Sequence, residues 1–241
     1  MKAEIRTTLI ALGVSLALAG PLAAVANAGE SAKSHQGEGM NHATHGEKMD
    51  HTEHLQRSRA RSDDAPESLS IAAPDLELLD HNGERVRFAS DVLGERLVVM
   101  DFIYTSCTTV CPVLSAIMSQ VSDRLETRFG NDVQLVSMSV DPGRDTPARL
   151  KSYAGKLGAG DNWTFLTGAK HNVDTVLKEF GAYTPNFDDH TPMLVVGDPA
   201  SGRWYRFFGF VSPERLLGAV ETLHKQRMTA SSARNNKELT L

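Results

Sequence analysis

The pattern of apolar and polar positions divides the chain into a long polar leader and an ordered block of alternating strands and helices. Val98–Ile103 is a largely apolar, β-branched run and predicts a buried strand. Small polar residues follow, then Cys107, Cys111 and Pro112, and then Val113, Leu114, Ile117, Met118, Val121 and Leu125 at helical spacing. Pro112 suits a first helical turn, where a missing N–H costs nothing. The helix is expected to run to about Phe129.

Asn131–Val140 predicts a second apolar strand, ending in the turn Asp141–Pro147. Thr146 is placed to cap the next helix and Pro147 to open it, with the end near Leu157. Trp163–Thr167 predicts a short strand, Val173–Phe180 a helix, and Met193–Val196 a strand. Gly197–Gly202 turns the chain, Trp204–Phe208 pairs back, and Pro213–Arg227 is an amphipathic helix. Ahead of these, Ile71–Leu79 and Arg85–Phe88 flank an Asn82-Gly83 turn signal and predict a hairpin. No internal repeat is present. The order predicts an α/β sandwich: a central mixed sheet with helices on both faces, parallel at its start and antiparallel at its end.

A length of 241 residues accommodates one ordinary domain with tails. The domain is expected over residues 67–227, with a flexible tail at 228–241. The mild acidity, a formal charge of −5, gives no support to a nucleic-acid role. Residues 1–28 have the form of a secretory signal: Lys2 and Arg6, the apolar Leu9–Leu18, and Ala26-Asn27-Ala28 before Gly29. Cleavage there leaves no stable membrane insertion; without cleavage the segment would be an anchor. No cysteine lies near that point, which excludes lipid attachment there. Export and Arg content point to a bacterial periplasm, where two lone cysteines would be paired unless reduced or metallated.

Residues 29–66 lack aromatic and β-branched bulk and predict a disordered linker. This linker nevertheless holds His35, His42, His45, His51 and His54 of the chain's 9 histidines, together with Met40 and Met49. Imidazole and thioether suit copper. An inert, solvated tether is the competing reading.

Cys107 and Cys111 are the chain's only 2 cysteines, and both fall where a buried strand hands over to a helix N-terminus. Partial positive charge there favours a thiolate, and residues four apart share a helix face. Such a pair can form a reversible disulfide, hold a soft metal, or do both at different times. A permanent structural disulfide is disfavoured, because it would close almost no loop. The CxxxC spacing leaves room for a metal between the sulfurs. A third ligand is expected from another loop at the same sheet edge. His81, expected in a solvated turn, and His171 and His224, expected on the surface, are weaker candidates than His190. His190 precedes Thr191-Pro192 and an apolar strand, where thioredoxin-like folds place a cis-proline facing the cysteines; a cis Thr191–Pro192 bond is therefore expected.

These segments resemble the Sco/SenC family of copper proteins, thioredoxin-fold chaperones of cytochrome oxidase assembly. The resemblance is carried by DFIYTSCTTVCP at Asp101–Pro112, SVDPGRDTP at Ser139–Pro147, DHTPMLVVGDPASG at Asp189–Gly202 and GFVSPERLLGAVETL at Gly209–Leu223. It covers about residues 69–226. It implies a thioredoxin-like fold and a copper site of Cys107, Cys111 and His190, with the turn Asp141–Thr146 close by. Thr191-Pro192 after the histidine departs from the family pattern towards a thiol reductase, and the His/Met-rich linker lies outside that pattern.

Two thiolates favour Cu(I), and an added imidazole allows Cu(II) as well. The leading expectation is a periplasmic metallochaperone serving the binuclear copper centre of cytochrome c oxidase subunit II, or another periplasmic copper protein. The alternative is a thiol–disulfide oxidoreductase that reduces the cysteines of a copper-receiving protein, with Cys107 and Cys111 as its catalytic pair. Copper buffering is a weaker reading, and peroxidase chemistry lacks the cysteine context it needs.

Overall fold

The computed structural model describes residues 63–238 and a few isolated positions before them. The expected signal peptide and most of the expected linker lie outside the described residues. Eight strands form one sheet in the order β1-β8-β7-β4-β5-β6-β2-β3. They are β1 (Glu67–Ser70), β2 (Glu77–Asp80), β3 (Arg85–Arg87), β4 (Leu97–Ile103), β5 (Val133–Ser139), β6 (Trp163–Thr167), β7 (Met193–Asp198) and β8 (Arg203–Phe208). The helices are α1 (Cys111–Phe129), α2 (Pro147–Leu157), α3 (Lys170–Glu179) and α4 (Pro213–Glu238). β4, β5 and β6 are mutually parallel, and β7 and β8 return antiparallel, as the sequence pattern predicts.

Strand alternation builds two cores. Leu97, Val99 and Ile103 of β4 face α1, α2 and α4, packing with Leu114, Met118, Leu150 and Leu216. Val98, Met100 and Phe102 face the other way, towards Val173, Val176 and Phe180 around α3. Every residue of β4 is buried, as expected of a central strand covered on both faces. Helix α2 begins as expected, with the Thr146 hydroxyl accepting from the Arg149 N–H at 3.4 Å and Pro147 in its first turn. Between β7 and β8, Gly197 pairs with Trp204, whose ring occupies the space a side chain at 197 would need.

Four expectations are corrected. Ile71–Leu79 is not one strand. β1 is one edge of the sheet and β2 lies next to the other edge, β3, and the residues between them, including Pro74, carry the chain across. Pro74 has no N–H for a ladder. Instead of continuing a strand, Ile71 donates its N–H to the Gly202 carbonyl at 2.9 Å. The Thr191–Pro192 bond is trans, since no cis peptide occurs among the described residues. Trans is the favoured isomer of an X–Pro bond by about 0.5–1 kcal/mol. The extended backbone runs straight into β7, with the Pro192 carbonyl accepting from Gly209 at 2.9 Å. His81 is not merely a solvated turn residue: its Nδ1 accepts from the Phe165 N–H at 3.3 Å, and its ring packs edge-on to Phe165. Helix α4 does not stop near Arg227 but continues to Glu238.

Candidate metal centre

The site forms where β4 ends. The chain leaves Ile103, makes a turn in which the Cys107 N–H donates to the Tyr104 carbonyl at 3.2 Å, and enters α1 at Cys111. Both cysteines are free thiols. Cys107 is at the surface limit of the core, 9% exposed, and Cys111 is fully buried. The Cys111 N–H donates to the Cys107 sulfur at 3.3 Å, so a helix-start donor points at that sulfur.

This arrangement separates the two thiols electrostatically. Cys107 is pushed well below its ordinary value, first by the Cys111 thiol donating to it, then by the N–H groups of Cys111 and Thr109 and by the Tyr104 hydroxyl. Burial opposes that shift without cancelling it. Cys111 is pushed upward by its donated hydrogen bond, by burial and by the negative charge on Cys107. One thiolate beside one thiol is the resting state this geometry favours.

The turn ahead of the cysteines is fixed from forty residues away. Asp145, 1% exposed, accepts the Thr105 N–H at 3.2 Å, the Thr105 hydroxyl at 2.5 Å and the Ser139 hydroxyl at 2.7 Å. The Asp141 N–H donates to the same Ser139 hydroxyl at 3.1 Å, so the acidic turn ties the cysteine loop to the end of β5. Behind Cys111 lies Asp101, fully buried on β4. Ser137 donates to it at 2.5 Å, and Trp163 donates to Ser137 at 2.9 Å. The other oxygen of Asp101 has no hydrogen-bond partner among the described residues. Desolvation pushes the Asp101 carboxyl up to about 7, against the Ser137 hydrogen bond.

His190 is 3% exposed and sits at the end of the short helical turn Phe187–Asp189, just before β7. β7 pairs with β4 through Asp101 and Leu194, so His190 emerges at the same sheet end as the cysteine turn. Tyr104 connects the two parts. Its ring stands edge-on to Phe187 at 5.2 Å and to His190 at 6.4 Å, and its ionisation is pushed up by burial and by the neighbouring cysteines. Cys107 and Cys111 are thus brought into contact, and His190 stands one aromatic ring away. Among the described residues, no group of three His, Cys, Asp or Glu side chains is gathered tightly enough to enclose a metal. The donor chemistry still fits a soft cation: two adjoining sulfurs, one already favoured as thiolate, with a buried imidazole at the same sheet end.

None of the other described histidines is gathered with the cysteines. His171 is exposed at the start of α3, and His224 packs on Phe129 between α1 and α4. Asp101 and Tyr104 are site residues that the pattern of the sequence did not single out, whereas Asp145 belongs to the turn Asp141–Thr146 expected close by. The signal for Asp101 is a carboxylate inside the apolar run Val98–Ile103.

A thioredoxin-like α/β sandwich with a dithiol at the first turn of its leading helix is the class these observations define. The family model SCO1/SenC matches residues 64–223, and the chain belongs to that family. It is 40% identical over 106 residues to the SCO1 protein homolog of Bacillus subtilis, covering 43% of this chain and 53% of that protein. The chain thus spans about half the length of the first curated relatives it matches. It resembles the structure of BsSco, a member of the Sco family of cytochrome c oxidase assembly proteins with an identified disulfide switch. That likeness has a TM-score of 0.55 and 26% identity, over 65% of this chain and 95% of that one. It also resembles Bradyrhizobium japonicum ScoI with copper bound, with a TM-score of 0.52 and 28% identity, over 63% and 98%. Among the described residues no helix is long and apolar enough to cross a membrane.

Proposed function

We propose that this chain is an exported, periplasmic copper carrier that takes part in assembling the binuclear copper centre of cytochrome c oxidase, with subunit II as its client. The observation that carries the reading is the contact between Cys107 and Cys111, two reduced and buried thiols at one helix start. The copper-bound Bradyrhizobium japonicum relative and the assembly role of the Sco family support it.

Copper is the cargo. Cys107 offers a thiolate at neutral pH, and Cys111 gives up its proton when the metal takes its place. Two thiolates suffice for Cu(I); His190 supplies the nitrogen that Cu(II) needs. Oxidation of the pair to a disulfide removes both ligands, so redox state gates loading. Copper titration of the reduced protein beside Cys107→Ser, Cys111→Ser and His190→Ala tests the assignment. Either cysteine change should abolish tight Cu(I) binding, and His190→Ala should weaken Cu(II) far more than Cu(I). An unchanged Cu(II) spectrum in His190→Ala would remove His190 from the site.

A second reading, thiol–disulfide exchange with the copper-receiving protein, is favoured by the unequal thiols. The Cys107 thiolate attacks one sulfur of the client disulfide, that S–S bond breaks, and a client thiolate leaves. Cys111 then loses its proton and attacks the Cys107 sulfur. The second client thiolate is released, with two electrons passed to the client and the protein left as a disulfide. Stoichiometric reduction of a client disulfide by the copper-free dithiol tests this reading.

A further inference from the structure

A cleft of about 230 Å³ opens beside the cysteine loop, lined by Thr105, Ser106, Arg149, Ser152, Tyr153 and Lys156. One wall is the pair of residues immediately ahead of Cys107. The other is a face of α2, on which Arg149, Ser152 and Lys156 follow one another at helical spacing. The floor is rigid: Tyr153 hydrogen bonds to Ser115, on the helix that carries Cys111, at 2.7 Å. No carboxylate lines the cleft. Asp145, the acid nearest in sequence to Arg149, is occupied by Thr105 and Ser139. Arg149 and Lys156 are exposed and have no acidic partner among the described residues; the Arg149 guanidinium donates to the Arg144 carbonyl at 3.2 Å.

The His190 side of the site has the other sign. Asp188 and Asp189 are exposed there, next to Phe187, and the Arg144 guanidinium lies 4.9 Å from the centre of the Phe187 ring. A polypeptide approaching Cys107 therefore meets uncompensated positive charge on the α2 side and negative charge on the His190 side.

We propose that the Arg149–Lys156 cleft docks an acidic side chain of the polypeptide whose cysteines meet Cys107, fixing that partner's orientation over the dithiol. The inference rests on the function proposed above. Size decides the occupant. Small-molecule pockets typically measure about 300–1,000 Å³. This cleft is smaller, so a single Glu or Asp side chain fits it better than a tripeptide thiol with its several polar groups. Rim charges of this kind set association rate and specificity, and they lose influence as salt rises.

The test is binding of fluorescent peptides of equal length to the reduced full chain, read by anisotropy. Each peptide carries Ser in place of both cysteines of a two-cysteine segment, flanked by Glu, Gln or Lys. The Glu peptide should bind tightest at low salt, and Arg149→Gln with Lys156→Gln should weaken it about tenfold while leaving the Gln peptide unchanged. Lys151→Gln, on the same helix but outside the cleft, should change nothing. Equal affinity of the double variant for the Glu peptide overturns the proposal. So does equal loss for all three peptides, which would indicate a purely structural role, or displacement of the Glu peptide by stoichiometric glutathione, which would make the cleft a small-molecule site. Reduction of the matching cysteine-containing peptides is scored separately. Its failure would count against the proposed thiol exchange and leave the binding result standing.

Discussion

Asp145 holds Thr105 by two separate groups, its backbone N–H and its hydroxyl, across forty residues of sequence. Two residues later comes Cys107, so the position of the reactive sulfur depends on a carboxylate in the β5–α2 turn. Removing that carboxylate as Asp145→Ala leaves the Thr105 and Ser139 donors unsatisfied in a buried site. A fully buried unsatisfied group costs about 1–3 kcal/mol; Thr105 is half-buried and water can reach its donors in part, so a loss of roughly 2–4 kcal/mol is expected in denaturant unfolding. The same change should slow copper loading, because the cysteine turn is no longer held. A variant with parental stability and parental loading would show that the turn holds itself.

The two thiols should differ in chemistry as they do in burial. Cys107 should be alkylated by iodoacetamide before the fully buried Cys111. Its rate should stay near plateau as pH falls below the ordinary thiol value of about 8.5, because the thiolate persists there. Cys111→Ala removes the largest cause of the depression, the thiol that donates to Cys107, and should move the inflection upward. A wild-type inflection at the ordinary value would refute the assignment of Cys107 as the resting thiolate.

How much of this was legible in the sequence follows from how local each cause is. The apolar run into Cys107, Pro112 at the helix start and Thr146-Pro147 at the next are local signals, and each element stands where its signal places it. His190 was legible as the residue before a strand. The partition of residues 67–80 between the two ends of the sheet was not, because the choice of neighbour for β1 and β2 is made by β8 and β6. The same holds for His81, whose partner Phe165 is brought alongside by the pairing of β2 with β6. Asp101 and Asp145 acquire their roles from Ser137, Trp163 and Thr105, none of them a sequence neighbour.

The histidines and methionines of residues 29–66 give a prediction from composition alone. Replacing His35, His42, His45, His51 and His54 with Asn should lower total copper bound by the chain without changing the affinity of the cysteine site. Binding by this segment should fade as pH falls through about 6.5, since neutral imidazole is required. A tethered weak site raises copper concentration near Cys107, so loading of the cysteines should also slow in the variant. Equal stoichiometry and equal loading rates would leave the segment as a spacer.

The last prediction concerns Asp101, whose carboxyl is raised to about 7 by desolvation in the folded chain. Unfolded, the group titrates near 3.9. Between these values the folded state holds a proton that the unfolded state has lost. Stability from this residue therefore falls as pH rises from about 4 to about 7 and is level above that. Three pKa units correspond to about 4 kcal/mol at most. Asp101→Asn abolishes the titration and retains an acceptor for the Ser137 hydroxyl. Its new amide N–H groups, however, enter a site where the second oxygen had no partner, at a cost of about 1–3 kcal/mol. The two effects oppose each other at neutral pH, so absolute stability there is a poor readout and the slope is the informative one. Unfolding free energies of the reduced protein should decline from about pH 4 to about pH 7 more steeply in the parent than in Asp101→Asn. Parallel curves for the two proteins would mean that Asp101 is not the group whose proton the fold retains.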